Sequence, residues 1–358
     1  GRLPDGKPNG ILYESAMDLM SNILPKPDQQ SVRQAIQAAQ PRLWQMGITG
    51  CHDFDRALCF STLQEMQQAG ELHLRVLKSL PVEDLPAALS IGLRAGFGND
   101  TLRIGNIKIF ADGALGPQTA AMLEPYENSK EAGIAFLDSE QIVEIGQLAA
   151  QGGFALAIHA IGDRANHEVL NAYEQLRAYE SQQNLPHLRH RIEHVQVLHP
   201  TDLPRLATLH IIASMQPIHA TSDMLIADRY WGERAALSYA WQSLLEQGTL
   251  LAFGSDSPVE SPNPFLGLHA ALTRRPATNP TQPGWRTAQA ISLHAALAAY
   301  TTGPAYAAGM QNHLGRLSPG FLADLIVLPK NPFTLPSNDL PHLQPAAVLF
   351  GGQWVWQA

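Results

Sequence analysis

Three apolar runs in the 358-residue chain each end in a residue able to bind or serve a metal ion. FALAIHAIGD presents His159, HRIEHVQV presents His194 and LLAFGSDSP presents Asp256. Imidazole nitrogen and a hard carboxylate oxygen together suit Zn²⁺ or a similar divalent ion. A single strand-end histidine is more often structural, and the chain has 14 histidines. Three polar groups at equivalent topological positions carry the metal reading further than one does. Asp256 stands in Gly254-Ser255-Asp256-Ser257-Pro258, residue types that also favour a plain capped turn. The apolar LLAF before it points instead to a carboxylate aimed from a strand end, able to take a proton from an activated water and pass it to a leaving group. Lys108 is flanked by Ile107, Ile109 and Phe110. A strand lysine usually snorkels to solvent, whereas burial would lower its pKa and free its amine; the residues alone leave both readings open. Gln216 and His219, after the run HIIASM, either line a substrate pocket or are satisfied structural groups.

His190-Arg191-Ile192-Glu193-His194 matches H-x-x-E-H, a metalloprotease pattern that needs both histidines on one helix face. Ile192, Val195 and Val197, bracketed by Pro186 and Pro200, favour a strand instead. A strand places residues 190, 192 and 194 on one face, so His190 stays a minor candidate. No phosphate-binding or dinucleotide glycine fingerprint is present. The net charge of −8 argues against non-specific nucleic-acid binding. No stretch reaches the roughly 18 apolar residues of a membrane span, and there is no signal-peptide pattern. Two cysteines, Cys51 and Cys59, imply no disulfide framework and favour a reducing, cytoplasmic compartment. The expected partner is a small-molecule substrate, with neither nucleic acid nor membrane, and a homo-oligomer is compatible. The opening GRLPDGKPNG has no initiator methionine and suggests a processed product or a fragment.

Positioning residues spread over about 150 positions requires a fold that brings many strand ends to one rim. Apolar patterning predicts strands at 48–53, 73–80, 103–110, 154–159, 190–197, 210–216 and 249–255, each followed by a helical segment. The first helix, 31–47, carries Pro41, which predicts a kink or a second helix beginning there. Ser139 is expected to cap the helix over 139–153. This βαβα order predicts an α/β fold, a parallel (β/α)8 TIM-type barrel with seven of its eight strands present and the first missing. The tail reads differently: ADLIVL (323–328) and a hairpin over 346–357 turned at Gly351-Gly352 predict three short strands that need a sheet contributed by another segment. The expected division is a barrel over 1–312 and this tail over 313–358.

The phrases KIFADGALG, AIHAIGD, RIEHVQ, SMQPIHA, FGSDSPV, YTTGPAYAAG and LGRLSPGFLADLIVL together resemble the amidohydrolase superfamily, and most of all its YtcJ-like, amidohydrolase-3 branch. The resemblance implies a metal-dependent hydrolase acting on a non-peptide C–N bond such as an amide or formamide, with one or two divalent ions, zinc by expectation. It implies that Lys108 is the lysine that CO₂ converts to a metal-bridging carbamate. His159 and His194 would bind the second metal, Asp256 would be the general base and also touch the first metal, and Gln216 and His219 would lie near the substrate. The resemblance also implies that the tail, 313–358, is the C-terminal part of a small β-sandwich. The family signature opens with H-x-H at the end of the first barrel strand, and no two of the 14 histidines here stand two apart. The ligands of the first metal are therefore not in this sequence, and Lys108, His159 and His194 are left to hold one ion with an open side. The competing expectation is a catalytically incomplete barrel remnant that binds a ligand or partner without turnover.

Overall fold

The computed structural model describes residues 1–12 and 14–358. Seven strands form one parallel sheet in sequence order: β1 (Gly50–Asp53), β2 (Arg75–Pro81), β3 (Leu102–Phe110), β4 (Leu156–Ala160), β5 (Arg191–His194), β6 (Ile212–Met215) and β7 (Leu251–Phe253). Helices such as Ala57–Gln68, Ser139–Ala150, Asp163–Gln182 and Leu203–Thr208 link successive strands. The middle strands are covered on both faces, with Ile107, Leu156, Ile158, Ile192 and Ala213 all fully buried, whereas the edge strand β1 leaves Gly50 and Cys51 exposed. Within the run over 190–197, Arg191–His194 forms a strand and no residue is helical, which removes the geometry that the H-x-x-E-H protease pattern needs.

The sheet curls. Strands β1 and β5 are four steps apart, which in a flat sheet would separate them by about 19 Å. Yet Arg191 Nη1 donates to His52 Nδ1 at 2.6 Å. Arg191 also pairs with Glu193 at 2.6 Å, and Lys78 of β2 forms an ion pair with Asp53 of β1. These inward-facing polar groups fill the concave side of an incomplete TIM-type barrel. The seam between β1 and β7 is met by the short helix Thr302–Ala307. His52 donates to the Pro304 carbonyl, and Gly303 packs so closely on β7 that a Cβ there would lie 2.1 Å from the Leu251 carbonyl oxygen.

The tail forms a separate three-stranded antiparallel sheet of β8 (Leu325–Val327), β9 (Ala347–Phe350) and β10 (Gln353–Gln357), in the order β10-β9-β8. Gly351 and Gly352 take positive φ values of 56° and 81°, which the tight hairpin turn demands. A buried ion pair between Arg75 and Asp324 ties this sheet to β2, with Arg75 Nη2 to Asp324 Oδ1 at 2.7 Å.

Two local expectations are corrected. Pro41 does not split its helix, which runs unbroken over Gln29–Gln45. Proline there removes one bond to the carbonyl of Gln37, and Gln37 is on the exposed side, where water serves that carbonyl. The helix over Ser139–Ala150 is capped by Asp138 rather than Ser139, through a capping box with Gln141. Among the described residues no helix is long and apolar enough to cross a membrane.

Candidate active site

The rim at the C-terminal ends of the strands gathers the candidate residues. Lys108 lies two residues before the end of β3, His159 near the end of β4 and His194 at the end of β5. Gln216 follows β6 directly and precedes the helix Pro217–Trp231, whose first turn carries His219; Asp256 lies three residues beyond β7. Two of these residues take left-handed backbone, His194 at φ 79° and Asp256 at φ 56°, and Val195 beside His194 has φ 44°. Such conformations cost free energy in non-glycine residues and cluster where a side chain must be re-aimed. At His194 the effect is to end the strand's alternation. His190, four residues earlier, instead accepts from the Leu156 amide at 3.0 Å and meets Glu180 at 2.9 Å. It is a structural group, outside the rim.

One nitrogen from each of His194 and His219 and one Asp256 carboxylate oxygen lie within 4.8 Å of one another. His219 Nε2 is 3.5 Å from Asp256 Oδ2, and its Nδ1 is 3.7 Å from Glu260 Oε1. His194 Nδ1 is 2.8 Å from Gln216 Oε1. The His159 ring stands edge-on to that of His194, with centroids 4.7 Å apart. Its Nε2 donates to the Gly113 carbonyl at 2.9 Å, which leaves Nδ1 as its free donor atom. The Lys108 ammonium sits over the rings of Phe110 and Phe54, at 4.4 and 5.3 Å.

Burial sets the charge states. Burial pushes Lys108 down to about 8, against the opposing pull of Glu193. Its amine is then neutral in roughly one molecule in ten at pH 7, against about one in 3,000 for an ordinary lysine. Burial, with Lys108 adding to it, lowers His159 to about 4, and burial with His159 holds His194 well below the usual range. Both imidazoles are therefore neutral. Burial also opposes charge on His219, but Asp256 and Glu260 outweigh it and carry its pKa up to about 9.

This donor set fits a divalent cation. Two atoms each about 2.1 Å from one ion are at most about 4.2 Å apart, so a group spread over no more than 4.8 Å reaches that limit by small side-chain rotations. Neutral imidazole and carboxylate are the ligand types that zinc and related ions take. His194, His219 and Asp256 would hold the ion, with His219 giving up its extra proton as the ion binds, and His159 and Lys108 would stand beside it.

The profile of the amidohydrolase family matches residues 1–356. The chain belongs to the amidohydrolase family. It is 33% identical over 354 residues to Protein LONG AFTER FAR-RED 3 of Arabidopsis thaliana, covering 95% of this chain and 60% of that protein. It is 30% identical to the putative amidohydrolase YtcJ of Bacillus subtilis, covering 99% and 66%, and 25% identical to the N-substituted formamide deformylase of Arthrobacter pascens, covering 95% and 64%. The chain thus spans 60–66% of the length of these relatives. Among solved structures, an uncharacterized metal-dependent hydrolase from Pyrococcus horikoshii OT3 superposes with a TM-score of 0.80 at 28% identity, covering 91% of this chain and 65% of that one.

Two site-forming acids carry no sequence signal of their own. Glu260 follows Asp256 by four residues in a loop where an acid is unremarkable, and only the fold sets it against His219. Asp112, four residues after Lys108, is fully buried and accepts backbone N–H bonds from Ala121, Ile161 and Gly162. Its only hint is its position after a predicted strand.

Proposed function

We propose that this chain forms the larger part of a metal-dependent hydrolase that cleaves a non-peptide C–N bond in a small amide or formamide. The observation that carries the reading is the convergence of His194, His219 and Asp256 at the mouth of a parallel barrel. Family membership supports it, and the likeness to a formamide deformylase supports the bond class. The donor types favour zinc.

When bound, a divalent ion at this point would polarise a carbonyl and lower the pKa of water. The chain's own residues do the rest. Asp256 is 39% exposed, so one of its oxygens faces the open side of the site. It takes a proton from the attacking water as the water oxygen bonds to the carbonyl carbon. It then delivers that proton to the nitrogen as the C–N bond breaks, releasing an amine and a carboxylic acid. Lys108 supplies a neutral amine to which CO₂ can add, with loss of a proton, to give a carbamate with oxygen donors. Phe54 and Phe110 pack their rings against the buried lysine.

The test is metal analysis of the purified chain together with turnover of N-substituted formamides. Bound zinc and a loss of about 10²- to 10⁴-fold in kcat for Asp256→Asn are expected. Turnover by that variant at the wild-type rate would sink the proposal. Zinc binding with no turnover of any amide would instead support a ligand- or partner-binding barrel.

A further inference from the structure

The trio that converges at the rim needs its imidazoles aimed correctly, and the structure shows what aims one of them. Gln216 is 6% exposed, fixed between the end of β6 and the helix Pro217–Trp231. Its Oε1 lies 2.8 Å from His194 Nδ1. An amide oxygen can only accept, so Nδ1 must carry the proton, which leaves the Nε2 lone pair free. His194 sits at the end of β5 on left-handed backbone, where the pleat no longer dictates the direction of its ring. Neighbouring imidazoles crowd the same ring: His159 at 4.7 Å and His219 at 5.9 Å between centroids. Without the Gln216 acceptor, the ring could turn over and present a protonated nitrogen to the trio.

We infer that Gln216 is a positioning residue, which locks the tautomer and orientation of His194 so that its Nε2 meets His219 and Asp256 at a common cation. This role is separate from the substrate contact that the family resemblance implies for Gln216, and it rests on the metal-binding part of the proposed function. Glu260, against Nδ1 of His219 at 3.7 Å, stands in the corresponding place behind the second imidazole. Groups of this kind typically alter metal affinity by about 10- to 100-fold when removed.

Two measurements on the full chain test the inference. Nitrogen-15 histidine spectra of the metal-free protein report the tautomer directly. Wild-type His194 is expected with its proton on Nδ1, and Gln216→Met, which keeps the length but removes the strong acceptor, should shift the population toward Nε2–H. Zinc affinity, measured by competition with a chromophoric chelator, should fall about 10- to 100-fold in Gln216→Met. Gln216→Glu, which still accepts from Nδ1, should bind zinc within about threefold of wild type by the same reasoning. In a His194→Ala background, Gln216→Met should cause no further loss, because its effect runs through that ring. A wild-type His194 protonated on Nε2, unchanged zinc affinity in Gln216→Met, or Gln216→Glu as weak as Gln216→Met would each overturn the inference. The tautomer can be read in wild type alone, so a misfolded variant does not block the test. A wild-type chain that binds no zinc yet shows the Nδ1 proton would refute the proposed function and leave the orientation of His194 standing.

Discussion

Replacing Asp112 with asparagine alters a single atom in the floor of the site. The Asp112 Oδ2 accepts from the amides of Ala121 at 2.9 Å and Gly162 at 2.8 Å, and Oδ1 accepts from Ile161 at 3.0 Å. All three bonds are buried. A hydrogen bond to a charged acceptor contributes about 1.5–3 kcal/mol, and an unmet buried N–H costs about 1–3 kcal/mol. Asparagine does best by keeping its carbonyl on the side with two donors, which turns its own NH₂ against the Ile161 N–H. One bond is lost, one donor faces another, and the two surviving bonds lose their charge. The expected cost is about 3–5 kcal/mol, and Asp112→Ala, which removes all three bonds, should cost more. An unfolding entropy of roughly 2.1 cal/mol/K per residue gives about 0.75 kcal/mol/K for 358 residues. The melting temperature of Asp112→Asn should therefore fall by about 4–7 °C. Zinc affinity should fall with it, because Ile161 and Gly162 directly follow the strand that presents His159, whose Nε2 lies 3.5 Å from Asp112 Oδ1 and whose ring packs edge-on against that of His194. Urea and thermal melts with zinc titration measure both. A loss under about 1 kcal/mol, or an alanine variant more stable than the asparagine one, would refute this account of the floor.

Three further outcomes are expected. Gly303→Ala should lower stability by about 1–3 kcal/mol in a thermal melt, because its Cβ would meet the Leu251 carbonyl; an unchanged melt would mean that the helix Thr302–Ala307 does not seal the seam. Burial, with Arg191 beside it, depresses His52 to about 3 in the folded chain, against about 6.5 unfolded. The unfolded state takes up the extra proton, so this stabilisation is intact above pH 6.5 and is lost as pH falls toward 3. His52→Gln cannot titrate and should show a shallower decline in urea stability from pH 7 to 5; equal slopes would remove His52 as the cause. Phe110, 54% exposed with its ring centroid 5.1 Å from that of His159, should contact an apolar substrate group. Phe110→Ala should cut kcat/KM for benzyl-type amides by about tenfold, mainly through KM, whereas an equal loss with N-methyl amides would place the ring elsewhere.

Much of the fold could be read from the residues, because a strand buried on both faces is written as a continuous apolar run. All seven predicted barrel strands form, and so do the three strands of the tail. Helix termini were harder. Pro41 reads as a break, but whether a missing bond matters depends on which side of the helix meets water. Asp138 outcompetes Ser139 because Gln141 completes its capping box, a choice between adjacent cap formers that depends on detailed backbone geometry.

What the sequence determined by itself is which strand ends carry groups able to bind a metal: Lys108, His159, His194 and Asp256 each follow or interrupt an apolar run that must lie in a parallel sheet. What tertiary structure alone decided is how they meet. Curvature brings Arg191 of β5 onto His52 of β1, a contact that no spacing along the chain encodes. Left-handed backbone at His194 and Asp256 aims side chains that strand alternation would misplace. Glu260 and Gln216 gain their places behind the two imidazoles only because loops after different strands reach one rim. The physical reason is the same in each case. Burial in a strand is a local property, governed by the apolarity of a few residues, whereas a ligand set is a property of distances between strands set by sheet curl and loop closure.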